Sequence, residues 1–349
     1  MRHSGIEALR LVIMFGIVMS HWGGHGSFSM SDNYELSANF VWLQLAQIFG
    51  GLGTTTFVLI SGYFSYGKTD INWSGIRRVA MDVRFYALTI WLITFICGFI
   101  TFHPSQFVGA IFPVVVFPQY WFVLPYLLVC LLSPLLNKIV SKAPTNQLIA
   151  LLAVLVLAEF IFPVIGRKYF ESQLVRFTAF YVIGACLNKY QDRLTALVKY
   201  RWYLLVLSFC SIVLICVLVD VLGYPEKYGQ LAGTRTPFVI LMSIGIFTVF
   251  HHFKFKSSIV NNLAKSSFAI YLISESPNIF PWFWKEYFEC MDYFYSPYMI
   301  PMSILQCLLV CVCCILIDML CKKIRLAVKL DSKIENFENR IINRIFPAS

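Results

Sequence analysis

Ten strongly apolar runs follow one another along the chain, at roughly residues 6–22, 38–64, 84–101, 119–137, 147–165, 173–188, 202–222, 236–251, 262–281 and 298–321. Most have the 17–25 residues a helix needs to cross a bilayer. They are continuous rather than alternating, so they predict transmembrane helices and not the ten-residue strands of a membrane barrel. The second run is long and carries Gly50, Gly51 and Gly53, which invite a division into two pieces. The sixth and eighth are short for a full crossing. The loops between runs are brief, with no Ser/Gly linker, low-complexity tract or soluble domain. No short repeat and no inverted similarity between halves is visible.

Composition agrees with this pattern. Of 349 residues, 58% are hydrophobic and 13% charged, against about 25% charged in a soluble domain. The expected fold class is therefore an all-α integral membrane protein, a polytopic bundle of about ten transmembrane helices. The first run follows a short Met-Arg-His start with no small-residue cleavage site after it, so it reads as a retained span and not a signal peptide.

Charge supplies the orientation. With an inner N-terminus, the outer loops hold Arg167, Lys168, Arg176, Lys227, Arg235 and Lys285, leaving 22 of the 28 basic residues on the inner side. That bias predicts cytoplasmic N- and C-termini. The +10 formal charge is thus a topology signal, and no nucleic-acid partner is expected. Residues 1–321 form the membrane domain in this reading. Residues 322–349 mix basic side chains with Ile324, Leu326, Val328, Leu330, Ile334, Phe337, Ile341, Ile342 and Ile345. They predict a basic amphipathic cytoplasmic tail on the anionic inner leaflet of the lipid bilayer. Ten of the eleven cysteines fall within or at the ends of apolar runs and Cys290 alone lies in an outer loop. This argues for packing roles rather than disulfides, and no metal site is expected.

Five features carry candidate chemistry. The first run, IEALRLVIMFGIVMSHW, contains Glu7, Arg10 and His21. Arg10 and His21 are eleven residues apart, hence within about 20° of one helix face and about 16 Å apart along it. Glu7 can pair with Arg10 at i,i+3. Ionisable groups at this depth cost roughly 2.5–3.5 kcal/mol to insert and tend to be functional. A headgroup-level Glu–Arg pair with a boundary histidine would explain the same residues.

Arg77, Arg78 and Arg84 form the second feature. Three guanidiniums suit a polyphosphate, although inner-loop charge alone also accounts for them. The third is Ser61-Gly62-Tyr63, where a glycine permits close backbone approach and Ser61 offers a hydroxyl; helix packing is the plainer explanation. The fourth is QYWFVLPYLL, with Gln119, Tyr120, Trp121 and Tyr126, which fits either an interfacial belt or stacking on a sugar ring. The fifth is SFAIYLISESP, in which Glu275 is a carboxylate within a span, pointing inward or sitting at an irregular outer end near Pro277.

Taken in order, these motifs resemble the membrane-bound acyltransferase-3 family. Arg10 and His21 match its Arg-x10-His pattern, and Glu7 stands where an acid usually precedes the arginine. Ser61-Gly62-Tyr63 matches its Ser-Gly-aromatic step, and Arg77, Arg78 and Arg84 its arginine-rich first cytoplasmic stretch. QYWFVLPYLL matches the aromatic re-entry segment, and SFAIYLISESP resembles a late Ser-Phe-Gly-Ile-Tyr-Leu-Ile-His stretch. The set spans positions 7 to 277. Two departures stand out: Ser274 replaces a common histidine, and His21 is followed by Trp22, Gly23, Gly24 and His25 without the usual nearby acid. Glu275 is then the candidate partner for His21.

The resemblance implies an O-acetyltransferase of the bacterial cytoplasmic (inner) membrane. Such an enzyme moves an acyl group, most simply acetyl, from cytosolic acyl-CoA to a hydroxyl of a cell-surface or exported polysaccharide or its lipid-linked glycan precursor. His21 would act as general base or transient acyl carrier, with Arg10 and Glu275 beside it. Acetyl-CoA would be held by Arg77, Arg78, Arg84, Ser61 and Tyr63, and the acceptor by Tyr120, Trp121 and Tyr126. A transporter or flippase of a lipid-linked saccharide could also use an Arg–His seam, and would be expected to show repeat symmetry. A membrane sensor or structural subunit would need no such seam.

Overall fold

The computed structural model describes residues 3–28, 36–114, 120–161 and 172–329. Gln119, Arg167, Lys168 and most of the expected tail lie outside the described residues. Among the described ones there is no strand, and the chain is an all-α polytopic membrane protein.

Among the described residues, six helices are long and apolar enough to cross a membrane. They are α1 (Ser4–His25), α2 (Ala38–Ser65), α3 (Trp73–Ile96), α5 (Val123–Lys142), α8 (Arg201–Val221) and α12 (Met299–Ala327). Between them lie α4 (Pro104–Ile111), α6 (Thr145–Val156), α7 (Gln173–Lys189), α9 (Pro237–His251), α10 (Ser258–Leu263) and α11 (Ser267–Ser274). A π-helical turn, Leu157–Ile161, extends α6. Each apolar run of the sequence is thus helical over most of its described length.

Caps, rather than hydropathy, set several boundaries. The Ser37 hydroxyl accepts from the Phe40 N–H to open α2, and the Asn72 side chain accepts from the Gly75 N–H to open α3. The Asn72 cap starts α3 eleven residues before the expected span start, so Arg77, Arg78 and Arg84 all stand on one helix and not partly in a loop. At the other end of the chain α12 runs to Ala327, past the expected end of the membrane domain.

α2 is one continuous helix, not two. Gly50, Gly51 and Gly53 serve packing: a Cβ on Gly53 would lie 2.6 Å from the Ile13 carbonyl oxygen of α1. One turn from the end of α2, Gly62 meets α7 in the same way. A Cβ there would come within 2.1 Å of the Tyr181 carbonyl, and one on Gly184 within 2.1 Å of the Leu59 carbonyl. Without a hydrophobic drive between helices in lipid, such close backbone contact is a main source of cohesion.

These contacts put α1 and α2 at the centre. An apolar 18-residue stretch of α2 is 78% buried and one of α8 only 28%, with Tyr203, Leu207, Leu214 and Val221 of α8 turned outward as a lipid-facing surface. The centre is pinned by polar bonds that lipid cannot replace. Trp22 Nε1 donates to Gln306 of α12 at 2.9 Å, and Trp42 Nε1 to Ser303 at 2.9 Å. Tyr86 of α3 donates to Asp318 of α12 at 2.6 Å, while Arg325 of α12 binds Asp82 of α3 at 2.7 Å. Asn137 of α5 donates to the carbonyls of Ser65 and Lys68, fixing the end of α2.

Candidate active site

The site is built along α1. Arg10, Met14, Ile17 and His21 follow at i, i+4, i+7 and i+11, which puts them on one helix face. At its start, Arg10 Nη1 donates to Glu7 Oε1 at 2.9 Å, with Glu7 buried and Arg10 partly open. At its far end, the buried His21 is gripped from two sides. Its Nδ1 lies 3.0 Å from Ser274 Oγ, and its Nε2 lies 2.9 Å from Glu275 Oε2. Both partners stand at the end of α11, so packing of α11 on α1 assembles the group.

The same Glu275 oxygen lies 3.1 Å from His25 Nε2, whose ring stacks on Phe280 with centroids 3.9 Å apart. Glu275 therefore sits between two imidazoles four residues apart on α1. Two imidazole nitrogens within 3.1 Å of one carboxylate oxygen fix where Glu275 sits. Trp22 anchors the same turn of α1 through Gln306, which limits how far His21 can shift.

His21, His25 and Glu275 line a cavity of about 490 Å³, together with Gln47, Trp121 and Arg176. That volume falls in the range of small-molecule sites. Arg176 is paired with the fully buried Glu159, its Nε and Nη2 both 2.9 Å from Glu159 Oε1. Gln47 donates to the Gly23 carbonyl at 3.0 Å and accepts from the Tyr228 hydroxyl. The wall thus mixes prearranged polar side chains with apolar ones.

The three aromatics expected at an acceptor site are separated by the fold. Trp121 lines the cavity and is 41% exposed, so its face is available for stacking. Tyr120 is 1% exposed, and its hydroxyl donates to the Leu272 carbonyl of α11 at 3.0 Å, which places it behind the site as a brace. Tyr126 lies a turn further toward the Arg10 end, stacked on Phe122 at 5.3 Å and 3.2 Å from Ser61 Oγ.

The residues expected to hold a donor are likewise spread along the Arg10 end. Ser61 Oγ also donates to the Phe57 carbonyl at 3.1 Å. Tyr63 donates to Gln191 at 3.1 Å and lines a second cavity of about 240 Å³ with Phe247, His251 and His252. His251 stacks on His3 with centroids 5.3 Å apart. Arg77 and Arg84, seven apart on α3, share a face, and Arg78 is exposed. None of the three arginines lines either cavity.

Among the members of the site not singled out from sequence are His25, Ser274 as a His21 partner, and Arg176. The i,i+4 spacing of His21 and His25 was a usable signal. The other two depend on tertiary packing. Among the described residues, no group of three or more His, Cys, Asp or Glu side chains is placed to hold a metal ion, and all eleven cysteines are free thiols.

A family profile described as an acyltransferase domain matches residues 3–320. No curated protein and no solved structure matches the chain. The matched stretch runs from the start of α1 into α12 and includes every residue of the histidine site. The chain belongs to the acyltransferase-3 family.

Proposed function

We propose that this acyltransferase moves an acetyl group from cytosolic acyl-CoA to a hydroxyl of a saccharide, as part of a cell-surface or exported polysaccharide or its lipid-linked precursor. The enzyme would work in a bacterial inner membrane, with the Arg10 end facing the cytosol. One observation carries the reading: His21, clamped by Glu275 and Ser274, borders a polar cavity on the same helix face as Arg10.

The chemistry follows from that clamp. A saccharide hydroxyl is a poor nucleophile until its proton has somewhere to go; with Nε2 of His21 turned to Glu275, the proton reaches Nδ1 by way of the Ser274 hydroxyl that bonds it. Glu275 stabilises the imidazolium that results, and His25 keeps the carboxylate from turning away. The hydroxyl oxygen then attacks the thioester carbon, and the departing thiolate takes up the proton. A transient acyl group on His21 is the two-step version of the same transfer. Trp121 would stack on the sugar, a flat apolar face against its C–H edge. Arg77, Arg78 and Arg84 would hold the CoA phosphates, and Arg10, Ser61 and Tyr63 would guide the pantetheine and thioester.

The test is made on the purified full-length protein in detergent. Saturable binding of acetyl-CoA, with acetyl transfer to surface glycan lost about 10²–10⁴-fold in a folded His21→Ala variant, is the expected result. Saccharide movement across vesicles with no use of acetyl-CoA would instead make the protein a transporter.

A further inference from the structure

The second cavity, of about 240 Å³, lies at the end of the bundle where α1 begins, because His3 at the start of α1 stacks on His251 in its wall. Its other rings are Tyr63, Phe247 and His252, from the ends of α2 and α9. Aliphatic side chains reach it from Leu187 of α7 and from Leu197 and Val198 just beyond. Rings and branched aliphatic groups together suit a flat ring system. The walls are tied to each other: Asn188 donates to the Tyr63 carbonyl at 3.0 Å, and the Tyr63 hydroxyl donates to Gln191 Oε1 at 3.1 Å. Three polar groups border this slot with defined roles. With its Oε1 bonded by Tyr63, Gln191 offers its amide N–H groups as donors. His252 Nδ1 lies 2.8 Å from the Thr248 carbonyl, which can only accept, so Nδ1 carries the proton and Nε2 of the neutral ring is an acceptor. Asp192 adds a carboxylate.

We propose that this slot takes the adenine ring of the acyl-CoA donor. The inference rests on the reading above, in which acyl-CoA is the donor and enters at the Arg10 end. The volume is below the roughly 300–1,000 Å³ of a site for a whole drug-sized ligand. It holds one ring system and leaves the phosphates and the pantetheine arm outside. Adenine presents an exocyclic amine that donates, beside ring nitrogens that accept. Asp192 and His252 Nε2 are acceptors for that amine, and the Gln191 amide is a donor for a ring nitrogen. A base with a carbonyl in place of the amine would set its oxygen against the Asp192 carboxylate, which rejects it. α2 ends at Ser65 and α3 begins at Trp73, so the slot at the end of α2 and the first arginines of α3 open on the same side of the membrane.

The experiment measures equilibrium binding, to the purified full-length protein, of acetyl-CoA and of its hypoxanthine analogue, in which a carbonyl replaces the amine. Wild-type protein should bind acetyl-CoA about tenfold or more tightly than the analogue. Asp192→Ala, at an exposed position that leaves the packing untouched, should bring the two affinities to within about threefold of each other. Val198→Trp puts a ring of the protein's own into the slot and should weaken acetyl-CoA binding about tenfold. Acetyl transfer from S-acetylpantetheine, which has no base, should stay at the wild-type level in that variant. Equal wild-type affinity for the two donors, or an undiminished preference in folded Asp192→Ala, overturns the slot and leaves the donor reading intact. Val198→Trp protein that binds acetyl-CoA as wild type does has the same consequence. Wild-type protein that binds neither donor overturns the donor reading, and the slot with it.

Discussion

The two ends of the α1 seam are built on opposite principles. At the His21 end, the central polar groups hold one another: Ser274 and Glu275 on His21, Glu275 on His25, Glu159 on Arg176. These side chains converge on one cavity. At the Arg10 end, the groups expected to meet a donor are strung over three helices, with Arg10 on α1, Ser61 and Tyr63 on α2, and the three arginines on α3. Neither of the two cavities described above gathers them. A fixed, desolvated cluster suits bond-making, where positions must hold within a fraction of an ångström. A spread of partly open cations suits a long, flexible polyanion, whose phosphates can reach charges that lie far apart. On the proposed reading, chemistry belongs to one end and capture to the other.

That contrast can be broken at each end separately. The largest expected effect is at the fixed end. Glu275→Gln keeps the size of the side chain but removes the charge that stabilises a protonated His21. Its transfer rate should fall about 10²-fold, about 2.7 kcal/mol in the barrier, with acetyl-CoA affinity unchanged by equilibrium binding. A parallel loss of affinity would mean that the two ends are not separate.

At the capture end, replacing Arg77 and Arg78 together with glutamine should weaken acetyl-CoA binding about tenfold, the worth of one charge-assisted hydrogen bond. The rate at saturating donor should stay close to wild type. Unaltered binding would remove these arginines from the donor site. The smallest effect is expected at His25. His25→Leu takes away one of two donors on Glu275, and about a fivefold loss of rate should follow. A loss as large as that of Glu275→Gln would promote His25 from support to an equal partner of His21.

How much of this was legible in the sequence depended on distance along the chain. The Glu7–Arg10 contact and the common face of Arg10 and His21 follow from helical periodicity, because all three residues share α1. The clamp on His21 joins residues 253 apart, Ser274 and His21, and no local pattern sets the packing of α11 on α1. Glu275 could be nominated as the partner because a carboxylate in a span needs one, whereas Ser274 gave no such sign. Hydropathy located the helices but misplaced the start of α3, since charged residues hide a helix that an Asn72 cap begins. It also invited a break in α2 at glycines that are there for close contact with α1 and with Thr234. Tertiary packing overrode the local preference of glycine. The separation of Tyr120 from Trp121 likewise came from the fold, which turned one neighbour inward to α11 and the other into the cavity.

The central claim is that an acyl group received at the Arg10 end is used at the His21 end. Sealed vesicles test it directly, with labelled acetyl-CoA supplied on one face only and label in glycan on the other face measured. Supply on the face bearing the Arg10 end should label glycan on the opposite face, and His21→Ala should abolish the label. Equal labelling with acetyl-CoA on the His21 side, or label that persists in a folded His21→Ala protein, would contradict the account.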